Sequence, residues 1–160
     1  MSTYPEEISG LETRFGDGRV SDSLIEFYRA FNDGDIAALE QNWCQGDVPS
    51  MNNPIGGIRR GWNSIREGYL KLFSGRARVQ VTFHDFTGQG GEGWHLFVGR
   101  ERGVCTTPQE ELNVNFRTTR WFILKVGVWR QLHHHGSVED PQMLQNYKKL
   151  IFGEDLIDAQ

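Results

Sequence analysis

Three consecutive histidines, His133-His134-His135, are the most conspicuous chemistry in this chain. Imidazole titrates near neutrality, so a histidine in a cleft can be a general acid or base, a hydrogen-bonded wall residue or a metal ligand. On an extended strand, neighbours alternate: His133 and His135 face one way and His134 the other. Zinc needs three or four ligands converging on one point. This motif offers two on one face, with no Cys, Asp or Glu beside them, so no metal site is expected. His133 and His135 are expected to be hydrogen-bonded residues of one sheet face. His134, on the other face, is either an acid–base group or part of a wall.

The remaining candidates are single residues. A buried arginine is costly unless paired, so Arg120 implies an anionic ligand or a nearby carboxylate if it points inward. In the alternative it is an exposed rung beside Arg117. Asn53 precedes Pro54, where an amide either shapes a turn or contacts a ligand. As an amide it cannot take up and return a proton near neutral pH. His84 and Asp85 are adjacent and so point to opposite faces of a strand, which excludes a dyad. Gly88 to Gly93 lacks the Lys-Ser/Thr and helix of a phosphate loop. No cofactor motif is present.

The elements that must position these residues can be read from hydrophobic period. A loose tail is expected over residues 1–20. Leu24, Phe27, Tyr28 and Phe31 then mark a helix, capped by Ser21 or Asp22. Asn32-Asp33-Gly34-Asp35 signals a turn into a short second helix carrying Ile36, Leu39 and Trp43. Val48 to Asn53 reads as a strand. Ile65, Tyr69, Leu72 and Phe73 mark a third helix. From Arg76 the period becomes two: Val79, Val81 and Phe83 alternate with polar residues. A glycine-rich hairpin turn at Gly88 to Gly93 leads to a strand from Trp94 to Arg100. Leu112 to Val126 and Val128 to His135 form the last long pair. Asp140-Pro141 opens a final helix.

Helices followed by consecutive strands predict an α+β domain, a curved antiparallel sheet wrapped around three helices in a cone-like α+β barrel, plus a C-terminal helix. The domain is expected over 21–138, with residues 139–160 as helix and tail. The strand face carrying Trp129, His133 and His135 has no helix to cover it, so a homodimer through the sheet is expected.

Composition narrows the class. The chain has 160 residues, a net charge of −4 and no block of like charges, which argues against nucleic acid as a partner. Its most apolar stretch, Trp121 to Trp129, is half the length a membrane helix needs. Met1 to Gly10 has neither the basic nor the apolar region of a secretory signal. Cys44 and Cys105 are far apart, as free thiols in a reducing compartment would be, so a cytoplasmic location is expected.

Two groups of motifs carry a family resemblance. The segment Asp35-Ile36-Ala37 through Met51-Asn52-Asn53-Pro54-Ile55-Gly56-Gly57 to Arg60-Gly61-Trp62-Asn63-Ser64-Ile65 resembles the ketosteroid-isomerase and SnoaL-like branch of the nuclear-transport-factor-2-like superfamily. Thr119-Arg120-Trp121 with Trp129 through Ser137 is similar to the association domain of calcium/calmodulin-dependent protein kinase II. The resemblance implies a small-molecule pocket lined by Phe27, Asn53, Arg120, Leu132 and His134, with a neutral or anionic ligand. It also shows what is missing. Asn53 stands where the isomerases have their aspartate base, Phe27 where they have an oxyanion-hole tyrosine, and Thr119 near their second oxyanion-hole acid. Steroid isomerisation is therefore not expected. His134 is the one member of the set able to move a proton near pH 7. The expected function is binding of an apolar metabolite, with lyase, hydrolase or isomerase chemistry if there is catalysis. The alternative is an association module that assembles through the sheet.

Overall fold

The computed structural model describes residues 4–153; residues 1–3 and the expected tail at 154–160 lie outside that range. Within it the elements are α1 Val20–Asp33, α2 Ile36–Asn42, β1 Ser50–Asn52, β2 Arg59–Arg60, α3 Trp62–Ser74, β3 Arg78–Gly91, β4 Trp94–Thr106, β5 Glu111–Lys125, β6 Val128–Ser137 and α4 Pro141–Phe152. The strands form one open sheet in the order β2-β1-β6-β5-β4-β3. This is the expected α+β architecture with one change: β1 pairs parallel to β6, so the sheet is mixed. The cause is local. Trp43 makes a parallel bridge to Gln131, and Cys44 N–H donates to the Gln131 carbonyl at 2.9 Å. The chain then continues in the same direction along β6 into β1.

Helix ends follow elementary chemistry. Gly34 closes α1 in the left-handed conformation, φ 67°, where its N–H reaches the carbonyls of Ala30 and Phe31. The Asp35 carboxylate caps α2, and Asp140 with Pro141 opens α4 as expected. The start of α1 differs from expectation. Its cap position is Arg19, and Asp22 instead accepts from the N–H groups of Phe15 and Gly16, pinning the incoming loop. Among its described residues, parts of that segment pack on the domain. Ile8 is fully buried and pairs with Phe83 through two backbone hydrogen bonds of 2.8 Å. The Tyr4 ring packs on Phe86, His95 and Phe97.

The strands are longer than their alternation suggested. β3 runs through the glycines to Gly91, which leaves only Glu92 and Gly93 as the turn. β4 continues to Thr106. One irregularity decides side-chain directions in β6. Trp121 pairs with His133 but Phe122 pairs with Gln131, so Leu132 is an extra residue in a β-bulge. The bulge reverses the parity on its two sides. Gln131, His134 and Gly136 point inward, and Trp129 lies on the inward side with Gln131, packed against the core. Trp129 therefore does not share a face with His133 and His135, contrary to the simple two-residue count.

The core lies between the helices and the inward sheet face. Tyr28 stacks on Phe83, and Tyr147 of α4 meets Phe116 of β5. All four helices thus use one sheet face. The other face leaves Trp94, Val98 and Trp121 about two-fifths to one-half exposed, at 39%, 47% and 40%.

Candidate functional site

Arg120 is the hub of the inward face. It sits on β5 opposite Phe97 of β4 and His134 of β6, and only 3% of it is exposed. Its Nε donates to the Tyr28 hydroxyl at 3.1 Å, Nη1 to Gln131 Oε1 at 2.8 Å and Nη2 to Glu101 Oε2 at 3.0 Å. The guanidinium carbon lies 3.7 Å from the centre of the Phe27 ring, a cation–π contact. Tyr28 also donates to Glu101 Oε2, at 2.6 Å. The network runs on through Gln131 Nε2 to Asn42 Oδ1 at 2.9 Å, and from Asn42 to the Ser23 carbonyl. Of the two readings left open for Arg120, the buried and carboxylate-paired one describes its geometry.

Burial alone would lower the Arg120 pKa, but Tyr28 and Glu101 outweigh it and the guanidinium is held charged more firmly than usual. Burial pushes the Tyr28 hydroxyl well up. Burial also raises Tyr69 on α3, to about 12, against the opposing charge of Arg120. Both phenols therefore remain protonated and able to donate.

His134 is different. It is 6% exposed, and neither ring nitrogen has a hydrogen-bond partner among the described residues. Burial, then the charge of Arg120, then His133 and His135 push its pKa well below the ordinary value. At neutral pH it is an uncharged imidazole. Pro54 helps to close it off: a methyl placed on Gly136 would lie 3.0 Å from Pro54 Cγ and 3.1 Å from His134 Nε2. The Trp43 indole N–H is also buried and lies close to the Tyr69 hydroxyl.

The structure brings Phe27, Arg120 and His134 together. Asn53 Oδ1 accepts from Ile55 N–H at 3.1 Å, so this side chain shapes the turn. Leu132 lies in the bulge, partly exposed and outside the packed core. Thr118, not Thr119, faces inward, with its hydroxyl buried and without a partner among the described residues. Tyr28, Asn42, Trp43, Tyr69, Glu101 and Gln131 complete the site and were not expected there. Glu101 had a signal: Phe97, Gly99, Glu101, Gly103 and Cys105 share one face at period two, and an acid among them calls for a partner.

His133 and His135 occupy the outward face. His133 Nδ1 lies 2.7 Å from Ser50 Oγ and 3.1 Å from the Ser50 carbonyl, and Asn52 contacts His135 at 3.3 Å. His133 is half-buried and His135 exposed. Two surface grooves of about 1100 and 230 Å³ lie against α4, and none of the five expected residues lines either.

A model of the SnoaL-like domain matches residues 20–141. The chain belongs to the SnoaL-like family. Solved structures agree on the fold of this SnoaL-like protein. A dehydratase candidate of the nuclear-transport-factor-2-like family from Streptomyces avermitilis superimposes with a TM-score of 0.70 at 18% identity, over 76% of this chain and 94% of the other. A ketosteroid isomerase-like protein from Erwinia carotovora atroseptica gives 0.66 at 16% identity, over 81% and 100%. A candidate calcium/calmodulin-dependent protein kinase type II association domain from Thiobacillus denitrificans gives 0.63 at 19%, over 76% and 95%. No curated protein matches the chain. Identities this low establish a nuclear-transport-factor-2-like fold and carry no activity with them. No described helix is long and apolar enough to cross a membrane.

Proposed function

We propose that this SnoaL-like protein binds a small, largely apolar molecule against the inward sheet face, with His134 as the group that meets it. Phe27 and Arg120 form the wall, and Asn53 and Leu132 belong to the rim through the turn and the bulge beside His134. The carrying observation is the His134 ring: buried, without a partner at either nitrogen among the described residues, next to an arginine already paired with Gln131 and Glu101. An unsatisfied buried polar group costs roughly 1–3 kcal/mol, a cost that an incoming ligand offsets by completing the hydrogen bonds. Entry requires the turn that begins at Asn53 and Pro54 to move off His134. Any proton transfer, in lyase, hydrolase or isomerase chemistry, runs through His134 as a neutral imidazole; Asn53 cannot supply it. A metabolite screen read by thermal shift and by turnover tests this, with His134→Ala alongside. Hits that stabilise the wild type and lose their effect in the variant support the site. Turnover unchanged in His134→Ala removes the catalytic half.

A second reading, assembly of copies through the outward sheet face, rests on the exposure of Trp94, Val98 and Trp121. It is compatible with the first, because the two faces are separate. Cys44 and Cys105 are buried free thiols, which suits the reducing cytoplasm we assign.

A further inference from the structure

The outward face holds a pair of imidazoles that the inward-face site does not use. His133 and His135 stand on the same side of β6, past the bulge, with ring centres 6.4 Å apart. β1 runs parallel beside them, pairing Ser50 with His133 and Asn52 with His135. On the other flank, Trp121 and Thr119 of β5 pair with the same two histidines. His135 is exposed and His133 half-buried, so the pair opens to solvent on the His135 side.

Hydrogen bonds decide which nitrogen each ring can offer. His133 Nδ1 lies 2.7 Å from Ser50 Oγ and 3.1 Å from the Ser50 carbonyl oxygen. A carbonyl only accepts, so Nδ1 carries the proton and Nε2 keeps its lone pair. A metal-ligating histidine has this arrangement: its second nitrogen donates to a carbonyl or a similar oxygen. Burial holds His133 below the ordinary imidazole range, so the ring is uncharged at neutral pH. Asn52 lies 3.3 Å from His135 Nδ1, and its amide oxygen is buried without a partner among the described residues. Turned over, the same amide accepts from His135 Nδ1–H, which gives the oxygen a partner and leaves Nε2 of the second ring with its lone pair.

A closed zinc centre needs three or four converging ligands, and among the described residues no three His, Cys, Asp or Glu side chains converge. A two-point chelate needs only the two imidazoles. Copper(II) is held more tightly by such ligands than the neighbouring divalent ions, and it accepts a tetragonal set of nitrogen and oxygen ligands that water can complete. We propose that Nε2 of His133 and Nε2 of His135 chelate an imidazole-preferring divalent transition-metal ion at the outward sheet face, copper(II) ahead of nickel(II) and zinc(II). Ser50 and Asn52 are positioning residues that fix the two tautomers from β1. The site stands or falls independently of the inward-face reading.

Copper(II) titration of tag-free protein tests this, read by tryptophan fluorescence and by electron paramagnetic resonance. Trp121 pairs with His133 across the strands, so a bound copper ion should quench its emission, and the quenching should shrink in Trp121→Phe. The resonance spectrum should show coupling to two imidazole nitrogens. His135→Gln is the decisive variant, because the side chain is exposed and its loss leaves the packing intact. It should weaken copper at least tenfold and leave a one-nitrogen spectrum. Ser50→Ala should weaken copper several-fold with both nitrogens still coupled, and Ser50→Thr, which keeps the hydroxyl, should restore it. Two-nitrogen binding that survives His135→Gln puts the ion elsewhere and overturns the proposal. A one-nitrogen spectrum in the wild type overturns it as well, because the rings then act singly.

Discussion

Arg120 and Glu101 meet diagonally across β4 and β5: Arg120 is paired in register with Phe97 and Glu101 with Phe116, yet Nη2 reaches Oε2 at 3.0 Å. Both are almost fully buried, so neither can exchange its partner for water. Removing one charge of such a pair strands the other. Glu101→Gln should therefore lower unfolding free energy by about 3–5 kcal/mol. Denaturant unfolding measures this, and the double variant Glu101→Gln, Arg120→Met should recover a good part of the loss. A Glu101→Gln protein as stable as wild type would mean that the pair is not buried as described.

The depressed basicity of His134 makes stability fall in acid. Its pKa lies well below the ordinary value when folded and near 6.5 when unfolded. Above pH 6.5 both states are neutral and the group contributes no slope. Below it the unfolded chain binds a proton that the folded chain refuses, so stability drops by up to about 1.4 kcal/mol per pH unit. His134→Gln should flatten the stability profile between pH 6.5 and 5 by about that slope. His84, His95 and His133 are also shifted down by burial, so the difference between variant and wild type is the quantity to read.

If the outward sheet face joins two copies, a charge at its centre separates them. Trp121 is 40% exposed and lies across from Leu96 and His133. Wild type should sediment as a dimer at micromolar concentration and Trp121→Lys as a monomer. Monomeric wild type under the same conditions rejects this reading.

Ile8 contributes to stability although it precedes the family domain. Its side chain is fully buried and its backbone extends the sheet at Phe83. Ile8→Ala should cost about 2–4 kcal/mol, within the range for deleting a buried aliphatic side chain. Thermal or denaturant unfolding of this one variant is sufficient to check it.

What was legible in the sequence was whatever repeats. The apolar stripes of α1 and α3 and the two-residue alternation of β3 and β5 lead to the right elements on the right side. A count of two fails where the chain inserts one residue, and nothing in Leu-His-His-His marks Leu132 as the bulge. His134 still points inward, while the companions expected from parity do not: Gln131 takes the place given to Leu132, and Trp129 turns to the core. Glu101 was missed because β4 was ended at Arg100, one residue short of it. Ile8 is flanked by Glu6, Glu7, Ser9 and Gly10, with no two-residue alternation to mark it as a strand position; only Phe83, distant in sequence, gives it a place. Arg120 was recognisable as a residue in need of a carboxylate, but its partner is set by tertiary structure.

The parallel pairing of β1 with β6 carries a consequence for the order of assembly. Ser50 and His133 touch although they are 83 positions apart, and closing so long a loop costs entropy before the contact returns anything. On the ribosome, β1 waits without its partner until nearly the whole domain has been made. The turn over His134 hangs from β1, so the covered imidazole belongs to the last stage of folding. Helices α1 to α3 and the β3–β4–β5 meander can form earlier, around a site that is not yet enclosed.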